Sequence, residues 1–355
     1  MRAGLNKIIG TGLNLAVQAG MRRLSAVSGR LLHLPTKVWF EIERGCNLRC
    51  RYCDAWRRPQ RGGLELGDWL RLLREARRWI GPFSLSFGSG EPLLAPEKLL
   101  PLIREASSFG VLTTCVTNGT LLDRPLLDAL RAAGLGRLMI SLDSADAATH
   151  DQIRGAAGVF ASAVRGVRLA LSLKGGPSVY ILSVVSDRNA GRLPEILEWA
   201  AGEGVDGLTL QPLSGYKPGR DMLVKDQAAL DLALDRLAAM KAAGYPLSNS
   251  AASLKLIRAY YAGLPFEGKG ALCGSYHSLR VYADGEVRSC AHKPALGNAG
   301  KAGLEGIWDS SHSRETLRAI AACRGYCMLN NTNFGEGFAE RCRNLLCHAA
   351  GRRMQ

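Results

Sequence analysis

The chain has 355 residues, 47 % hydrophobic content and ten cysteines. This length and composition allow one large domain and a small one, and they exclude a disordered protein and a small secreted disulfide scaffold. The formal net charge is +15, and residues 1–61 supply +9 of it, with twelve Lys or Arg against three Asp or Glu. Such a charge indicates either an anionic partner or a merely solubilising surface.

Residues 1–35 are predicted to form a basic amphipathic helix. The uncharged stretch from Ile8 to Met21 is too short to span a bilayer, which needs about 20 apolar residues. The pattern fits an interfacial helix that contacts an anionic membrane through residues 1–33, or a helix that caps the bottom of the following domain, which is the interpretation we prefer. Apolar residues recur at helical spacing at Leu13, Val17, Met21, Leu24, Val27 and Leu31.

Residues 36–245 alternate short apolar runs with amphipathic stretches, of which the last is Lys225–Ala243. This alternation predicts a parallel sheet with helical crossovers, and six units predict an α/β fold of the partial (β/α)6, TIM-like barrel type. The chemistry of such a domain gathers at the carboxyl ends of its strands. The predicted strands are Val38–Ile42, Phe83–Phe87, Val111–Thr117, Leu138–Leu142, Val179–Val185 and Leu208–Leu210.

Cys46, Cys50 and Cys53 follow the first predicted strand with the spacing C-x3-C-x2-C. Three thiolates hold three irons of a 4Fe–4S cluster and leave the fourth open to a small molecule, whereas most clusters have four thiolate ligands. The alternatives are a zinc site that lacks one ligand, or three unrelated buried cysteines.

This motif, with the aromatic Tyr52 before its last cysteine, resembles that of the radical S-adenosylmethionine (SAM) superfamily. The resemblance covers nearly the whole chain. It implies that Cys46, Cys50 and Cys53 are catalytic and bind the 4Fe–4S cluster, whose open iron chelates SAM. It further implies reductive cleavage of SAM to a 5′-deoxyadenosyl radical that abstracts hydrogen from a substrate.

Gly88-Ser-Gly-Glu-Pro92 follows the second strand and resembles the G-G-E-P turn of this family. The resemblance implies that Glu91 binds the amino group of SAM, while Gly88 and Gly90 let the backbone approach it closely. Ser89 stands where glycine is usual. Without the other motifs, the same residues would indicate only an ordinary turn.

Polar residues that follow the next strands resemble the family's SAM-binding positions. They are expected to contact the ribose and the methionyl carboxylate. The guanidinium of Arg154 is expected to pair with that carboxylate, and the alternative is an exposed surface ion pair. Gln211, after the sixth strand, either lines the open end of the barrel where the site is expected or is simply buried at the end of its strand. The predicted SAM-binding residues, besides Tyr52 and the turn, are Asn118, Ser141, Asp143 and Arg154.

Residues 246–355 contain a second group of cysteines. Cys273, Gly285 and Cys290 form the pattern C-x11-G-x4-C, which resembles the signature of the SPASM/twitch extension of radical SAM enzymes. Val281–Val287, between the two cysteines, is predicted to form a hairpin. The resemblance implies an auxiliary 4Fe–4S cluster held by these two with Cys323 and Cys327. Cys342 and Cys347 would complete a second cluster, replace a ligand or be buried thiols, and zinc remains an alternative.

Two further residues have simpler interpretations. Cys115, inside an apolar strand, is predicted to be a buried hydrophobe. His292 is predicted to be a solvated loop histidine, the alternative being a residue that tunes the Cys290 site.

These features predict a radical SAM oxidoreductase that acts on a small molecule, a sugar or a lipid headgroup. The alternative is a maturase of peptides or proteins, which we disfavour because the 36 residues before Lys37 are few for a leader-recognition domain. The remote alternative is a metal-stabilised nucleic-acid-binding protein, but recognition signatures are missing and no nucleic-acid partner is expected. We expect a cytoplasmic protein, peripheral to the inner membrane face if the first helix binds lipid, with a flavodoxin- or ferredoxin-type reductant.

Overall fold

The computed structural model describes residues 16–25, 27–28, 30–57, 63–213, 219–264 and 273–323. Leu13 of the predicted apolar stripe lies outside these residues. So do three of the predicted cluster ligands, namely Cys327, Cys342 and Cys347.

Six strands, each close to an apolar run that predicted it, form the main sheet: β1 (Lys37–Phe40), β2 (Ser84–Phe87), β3 (Leu112–Thr117), β4 (Arg137–Ser141), β5 (Ser178–Val185) and β6 (Gly207–Pro212). All neighbours among them pair in parallel, in the order β6-β5-β4-β3-β2-β1. The carboxyl ends of these strands therefore lie along one edge, as expected for a partial (β/α)6 barrel.

Helices connect the strands and cover the sheet: α1 (residues 16–25), α2 (Leu66–Ile80), α3 (Pro96–Ser108), α4 (Arg124–Ala133), α5 (Ala147–Arg154), α6 (Val159–Leu171), α7 (Leu193–Glu203), α8 (Gln227–Ala242) and α9 (Ala251–Tyr261). The sequence did not predict α5 or α9. Helix α5 has only eight residues, and Ile153 is its only buried aliphatic side chain, so hydrophobic periodicity gave no signal.

The core lies between the sheet and its helices, and it explains why the strand sequences are almost continuously apolar. Phe40 and Phe87 are fully buried on neighbouring strands and pair in register. The Trp69 ring of α2 packs against Phe40, with ring centroids 4.9 Å apart. Cys115 pairs with Phe87 in register and is fully buried, as predicted.

The C-terminal part extends the same sheet. It contains β7 (Ser278–Val281), β8 (Glu286–Arg288), β9 (Gly297–Asn298), α10 (Leu304–Trp308) and α11 (Ser311–Ala321). The hairpin predicted between residues 281 and 287 is confirmed as the β7–β8 pair, with Gly285 at a φ of 82° in its turn. Strand β7 runs parallel to β1, so β1 has a partner on each side. The fold therefore matches the predicted class, whereas the domain boundaries at residues 36 and 246 stay predictions.

Only part of the predicted apolar stripe faces the domain: Leu31 packs against the core and Met21 is half-buried, so the capping interpretation stays a prediction. Val17, Leu24 and Val27 are 50 %, 56 % and 89 % exposed. Gln18 and Ser25, which lie off the stripe, are the buried residues of this segment. The residues that anchor α1 are thus polar, because they satisfy backbone groups of the chain that leads into β1.

None of the helices in the described part of the chain is long and apolar enough to cross a bilayer.

Candidate functional site

The loop that follows β1 carries Cys46, Cys50 and Cys53, all free thiols, of which Cys50 is buried and the other two are half-buried. Backbone N–H groups approach two of the sulfurs: Leu48 donates to Cys46 Sγ at 3.4 Å and Ala55 donates to Cys53 Sγ at 3.5 Å. Such bonds stabilise the thiolates of iron–sulfur clusters and influence their potentials.

Burial raises the pKa of Cys46, and it raises the pKa of Cys50 to about 11. Both thiols are therefore neutral near pH 7 unless a metal displaces their protons, which is how cysteine ligands normally ionise. Within the described residues, no three His, Cys, Asp or Glu side chains surround a single metal ion. The thiol donors and the N–H groups directed at them fit an iron–sulfur cluster, in which each thiolate binds its own iron.

The Gly88–Pro92 turn packs directly on this cysteine loop. The backbone N–H of Glu91 donates to the carbonyl of Gly45 at 2.8 Å. Gly90 has a φ of 128°, and a Cβ there would overlap the carbonyl oxygens of Glu43 and Gly45. Only glycine fits at this position, because the two loops touch through their backbones.

Ser89 has a φ of 69° and is the one non-glycine residue with a positive φ in the described chain. A side chain in this left-handed region costs free energy that glycine would not. The departure from the family's G-G-E-P motif therefore leaves the shape of the turn intact and places strain in it.

Glu91 is 1 % exposed and links the end of β2 to the end of β3. Its Oε1 accepts from Thr117 Oγ1 at 2.7 Å, and its Oε2 accepts from the Asn118 N–H at 2.8 Å. Burial raises the pKa of Glu91, although these donors and the Leu93 N–H oppose the shift. A carboxylate offers about four acceptor positions, so one remains for an ammonium group.

Asn118 reaches back to the cysteine loop from the end of β3. Its Nδ2 donates to Asn47 Oδ1 at 2.8 Å and lies 3.8 Å from Cys46 Sγ. Its Oδ1 accepts from Thr120 Oγ1 at 2.6 Å. The sequence had not singled out Asn47 or Thr120, which complete this small network.

Asp143, two residues beyond β4, is completely buried. Its Oδ2 accepts from the Tyr52 hydroxyl at 2.8 Å and lies 2.9 Å from Arg154 Nε. Its Oδ1 accepts from the Val184 N–H of β5 at 2.9 Å. The carboxylate therefore joins the cysteine loop, α5 and β5, an arrangement that the proposed contact with the ribose did not anticipate.

Arg154 lies at the end of α5, where it is 6 % exposed. Its guanidinium carbon is 5.7 Å from the centre of the Tyr52 ring, and Nη1 is 4.0 Å from Cys50 Sγ. Burial alone would lower the pKa of Arg154, but Asp143, together with smaller contributions from Tyr52 and Cys50, raises it by more, so the cation is maintained. We expected an exposed pair or a SAM carboxylate as its partner, whereas the structure pairs it with Asp143 in the interior.

His150 is a site residue that sequence reasoning missed. Its Nδ1 accepts the backbone N–H of Asp143 at 3.1 Å, and the ring is fully buried. Burial, with a smaller contribution from the charge of Arg154, lowers the pKa of His150 to about 3. Asn189 completes the support by donating to the Asp143 carbonyl at 2.7 Å. Nothing in the sequence around Arg154 marked His150 as a support for Asp143.

Two other predicted residues lie at the same edge of the sheet. Ser141 is buried at the carboxyl end of β4, where it pairs in register with Leu182. Gln211 lies near the end of β6 and is half-buried.

The described cysteines of the C-terminal part lie near the opposite ends of the strands. Cys273 precedes the turn that leads into β7, and Cys290 follows the antiparallel β8, so both are at the amino end of the β1–β7 pair. Ser278 and Ser289 connect these segments, since Ser278 Oγ donates to the Ser289 carbonyl at 3.3 Å. Cys323 follows α11, which packs on the same turn. The backbone N–H of His292 donates to Cys290 Sγ at 3.4 Å.

One ion pair connects the cysteine loop with the hairpin. Arg44, two residues before Cys46, pairs with Asp284 in the β7–β8 turn. The two residues are distant in sequence, and only the parallel β1–β7 pairing brings them together.

Comparison with protein families identifies the class. The model of the radical SAM superfamily matches residues 40–200, and that of the SPASM iron–sulfur cluster-binding domain matches residues 273–342. The chain therefore belongs to the radical SAM superfamily and is a radical SAM enzyme with a SPASM domain. Its cofactors are those of this class: a 4Fe–4S cluster, SAM and an auxiliary iron–sulfur cluster.

Among curated proteins, the chain is similar to the PqqA peptide cyclase of Rhodopseudomonas palustris, with 32 % identity over 72 % of this chain and 67 % of the relative. It is 28 % identical to the PqqA peptide cyclase of Granulibacter bethesdensis over 56 % of this chain and 54 % of the relative. It is 31 % identical to the AdoMet-dependent heme synthase of Methanosarcina barkeri over 48 % of each chain. The matches thus span about half of the second and third relatives.

Two solved structures share the fold. Streptococcus suis SuiB bound to SAM superposes with a TM-score of 0.65 at 18 % identity, covering 86 % of this chain and 77 % of SuiB. The enzyme anSMEcpe with bound AdoMet and the Cp18Cys peptide gives a TM-score of 0.62 at 16 % identity, covering 89 % of this chain and 96 % of anSMEcpe. At these identities the likeness establishes the fold alone.

Asp143→Asn should lower the free energy of unfolding by about 3–5 kcal/mol, because it leaves Arg154 buried without its counter-charge. Asp128→Asn, which disrupts exposed ion pairs on α4, is the matched control and should cost about 1 kcal/mol or less. Urea denaturation of the reduced apoprotein measures both. Equal shifts in the two variants would show that the Asp143 pair has no special importance.

Ser89→Gly should raise the free energy of unfolding by about 1 kcal/mol, because glycine adopts a positive φ without steric cost. The same change at Ser86, inside β2, serves as the control and should be destabilising, since glycine weakens a strand interior. The same denaturation assay applies. A loss of stability in Ser89→Gly would contradict the strain assigned to this turn.

The stability of the protein should fall as the pH drops below 6.5, because His150 is protonated in the unfolded chain long before its folded-state pKa of about 3. Its contribution is fully present above pH 6.5 and should be reduced by about 2 kcal/mol at pH 5. His150→Asn, which retains an acceptor but does not titrate, should remove this part of the dependence and leave the part that comes from His33, whose pKa burial lowers to about 4. His312→Asn, at an exposed position on α11, should leave it unchanged. Identical pH profiles for the wild type, His150→Asn and His312→Asn would refute the role assigned to His150.

Proposed function

We propose that this protein modifies a peptide substrate by radical chemistry. The observation that carries this proposal is the 32 % identity to a PqqA peptide cyclase over 72 % of the chain. The fold shared with SuiB, which has also been solved with its precursor peptide SuiA, is consistent with it. We therefore prefer the maturase over the small-molecule enzyme that we inferred from the sequence.

A small-molecule substrate is the second candidate. It is supported by the 31 % identity to an AdoMet-dependent heme synthase, although that match spans only 48 % of each chain.

In the proposed site, Cys46, Cys50 and Cys53 hold the cluster. Glu91 receives the amino group of SAM through its remaining acceptor position, and Gly88 and Gly90 permit close approach of the backbone. When bound, the cluster and SAM supply the radical that removes hydrogen from the substrate, and an auxiliary cluster supplies an electron acceptor.

The other predicted residues divide into two groups. Asn118 and Ser141 lie at the strand ends where the polar groups of SAM would be bound. Tyr52, Asp143 and Arg154 position the cysteine loop, because their buried contacts hold Cys50 against α5. In this proposal Asp143 and Arg154 act mainly through the loop, in contrast to the direct contacts expected from the sequence.

We assign the auxiliary cluster to Cys273, Cys290, Cys323 and Cys327. Cys273 and Cys290 lie at the amino end of the β1–β7 pair, and Cys323 follows α11, which packs on the turn there. The cysteine loop lies at the opposite, carboxyl end of β1. Cys342 and Cys347 remain candidates for a second cluster. A flavodoxin- or ferredoxin-type reductant, a cytoplasmic location and a peripheral membrane contact through residues 1–33 are part of the same proposal.

Anaerobic reconstitution should give about eight irons per chain if one auxiliary cluster is present, and about four in Cys46→Ala. Cys115→Ala is the matched control, because it removes a buried cysteine that is not a proposed ligand, and it should retain all the iron. With dithionite and SAM, the wild type should release 5′-deoxyadenosine and Cys46→Ala should not. Zinc in place of iron, or full iron in Cys46→Ala, would refute the ligand assignment.

The substrate class is tested by adding peptides encoded by short genes that flank the gene of this enzyme. Mass spectrometry should detect a peptide that loses two hydrogens in step with 5′-deoxyadenosine formation. If 5′-deoxyadenosine forms while every peptide keeps its mass, and a fractionated metabolite extract yields a new product instead, the peptide proposal is wrong and the small-molecule candidate is favoured.

A further inference from the structure

The main sheet has two different faces. Side chains such as Phe40 and Phe87 point toward the helices and are fully buried, whereas the residues that alternate with them on β1 to β4 are mostly half-buried. The second set forms what we call the inner face, which is the side turned to the interior of the partial barrel. None of the strands β1 to β7 contains an Asp or Glu. The inner face of these strands therefore carries no negative charge.

One row of neighbouring residues crosses the inner face. It runs from Trp39 on β1 through Ser86 and Thr114 to Arg137 on β4, each paired in register with the next. Two N–H donors of this row, Trp39 Nε1 and Arg137 Nε, are buried and have no hydrogen-bond partner in the described chain. Buried donors without acceptors cost free energy, and groups of this kind are expected to have a partner. The row therefore favours a ligand that supplies oxygen acceptors.

Arg137 is held in place by an aromatic ring. Its guanidinium carbon lies 4.4 Å from the centre of the Tyr180 ring on β5. A Cβ at Gly207 of β6 would come within 2.7 Å of that ring, so glycine leaves the room that Tyr180 occupies. A guanidinium that is stacked on a ring keeps the N–H groups at its edge for another partner.

No carboxylate among the described residues lies within ion-pair distance of Arg137. Asp206, which directly precedes β6, accepts a hydrogen bond from the backbone N–H of Val179 at 2.7 Å. The positive charge of Arg137 is therefore left for a ligand.

The row also lies close to the candidate site. The Trp39 ring packs against the turn that carries Glu91, because a Cβ at Gly88 would be 2.6 Å from it. Arg137 and Ser141 are the two ends of the inner side of β4, and four residues of strand span about 13 Å. A ligand that is anchored at Arg137 and extends along the inner face would thus point toward the cysteine loop.

We propose that the inner face binds the substrate and that Arg137 receives a carboxylate group of it. A single guanidinium matches the charge and the fork geometry of one carboxylate. This group is either an Asp or Glu side chain of a peptide or the carboxylate of a small molecule. The inference rests on the proposed radical enzyme, but it holds for both substrate classes.

The direct test is equilibrium dialysis of the full-length, iron-loaded protein with radiolabelled glutarate, which reproduces the carboxylate of a glutamate side chain. The wild type should bind glutarate saturably. Arg137→Gln should weaken this binding about tenfold or more, because it removes a charged hydrogen-bond pair. Arg137→Lys should lie between the two, since it keeps the charge and loses the fork.

The matched control is Arg104→Gln, the same change at an exposed position on α3, and it should bind glutarate like the wild type. Iron content and far-UV circular dichroism establish that each variant is folded and loaded.

A second test uses the peptides and metabolite fractions of the substrate assay, each before and after methyl esterification of its carboxylates. Esterification and Arg137→Gln should each raise KM about tenfold or more and change kcat by less. The two effects should not add, because both remove the same ion pair. The mixture that is converted identifies the carboxylate as one of a peptide or of a small molecule.

Three outcomes would overturn the proposal: no saturable binding of glutarate by the wild type, equal binding by the wild type and Arg137→Gln, or turnover that esterification does not change. Failure of the proposed function is visible separately, as a wild type that releases no 5′-deoxyadenosine from SAM and dithionite. The glutarate measurement still decides the role of Arg137 in that case.

Discussion

The candidate site depends on a single buried charge, the carboxylate of Asp143. Three separate parts of the chain meet at its two oxygens: the cysteine loop through Tyr52, helix α5 through Arg154, and strand β5 through the N–H of Val184. Burying an ion is expensive unless it is paired and hydrogen-bonded. Because Asp143 and Arg154 satisfy each other, the guanidinium can remain in the interior, 4.0 Å from Cys50 Sγ. The position of Cys50, a proposed cluster ligand, thus follows from the Asp143–Arg154 ion pair beside it.

The sequence was sufficient to predict the βα alternation, the cysteine loop and the β7–β8 hairpin. Each of these has a local signal, namely apolar runs of strand length, closely spaced thiols, and an Asp-Gly turn between short strands. The polar residues at the strand ends were predicted from their resemblance to the family's motifs, and the parallel strands explain why these residues meet at one edge.

What the sequence did not reveal are relations between distant residues. His150 supports Asp143 only because α5 folds back over the end of β4, and Arg44 meets Asp284 only because β7 joins the sheet beside β1. The exposure of Val17 and Leu24 on α1 has a related reason. Periodicity identifies the apolar side of a helix, but the side chains that are buried here are Gln18 and Ser25, because they accept hydrogen bonds from the backbone N–H groups of Leu34 and Leu32.

The place of β1 between β2 and β7 has a consequence for distance. The cysteine loop leaves its carboxyl end, and the C-terminal cysteines gather near the amino end of the same strand pair. A strand of four residues rises about 13 Å, and its length cannot change without a shift in register with both neighbours. Strand β1 therefore sets the distance along the sheet between the two groups of cysteines. Because backbone hydrogen bonds fix that distance, the loops at the strand ends, and not the paired strands, are the parts of the fold that can vary around it.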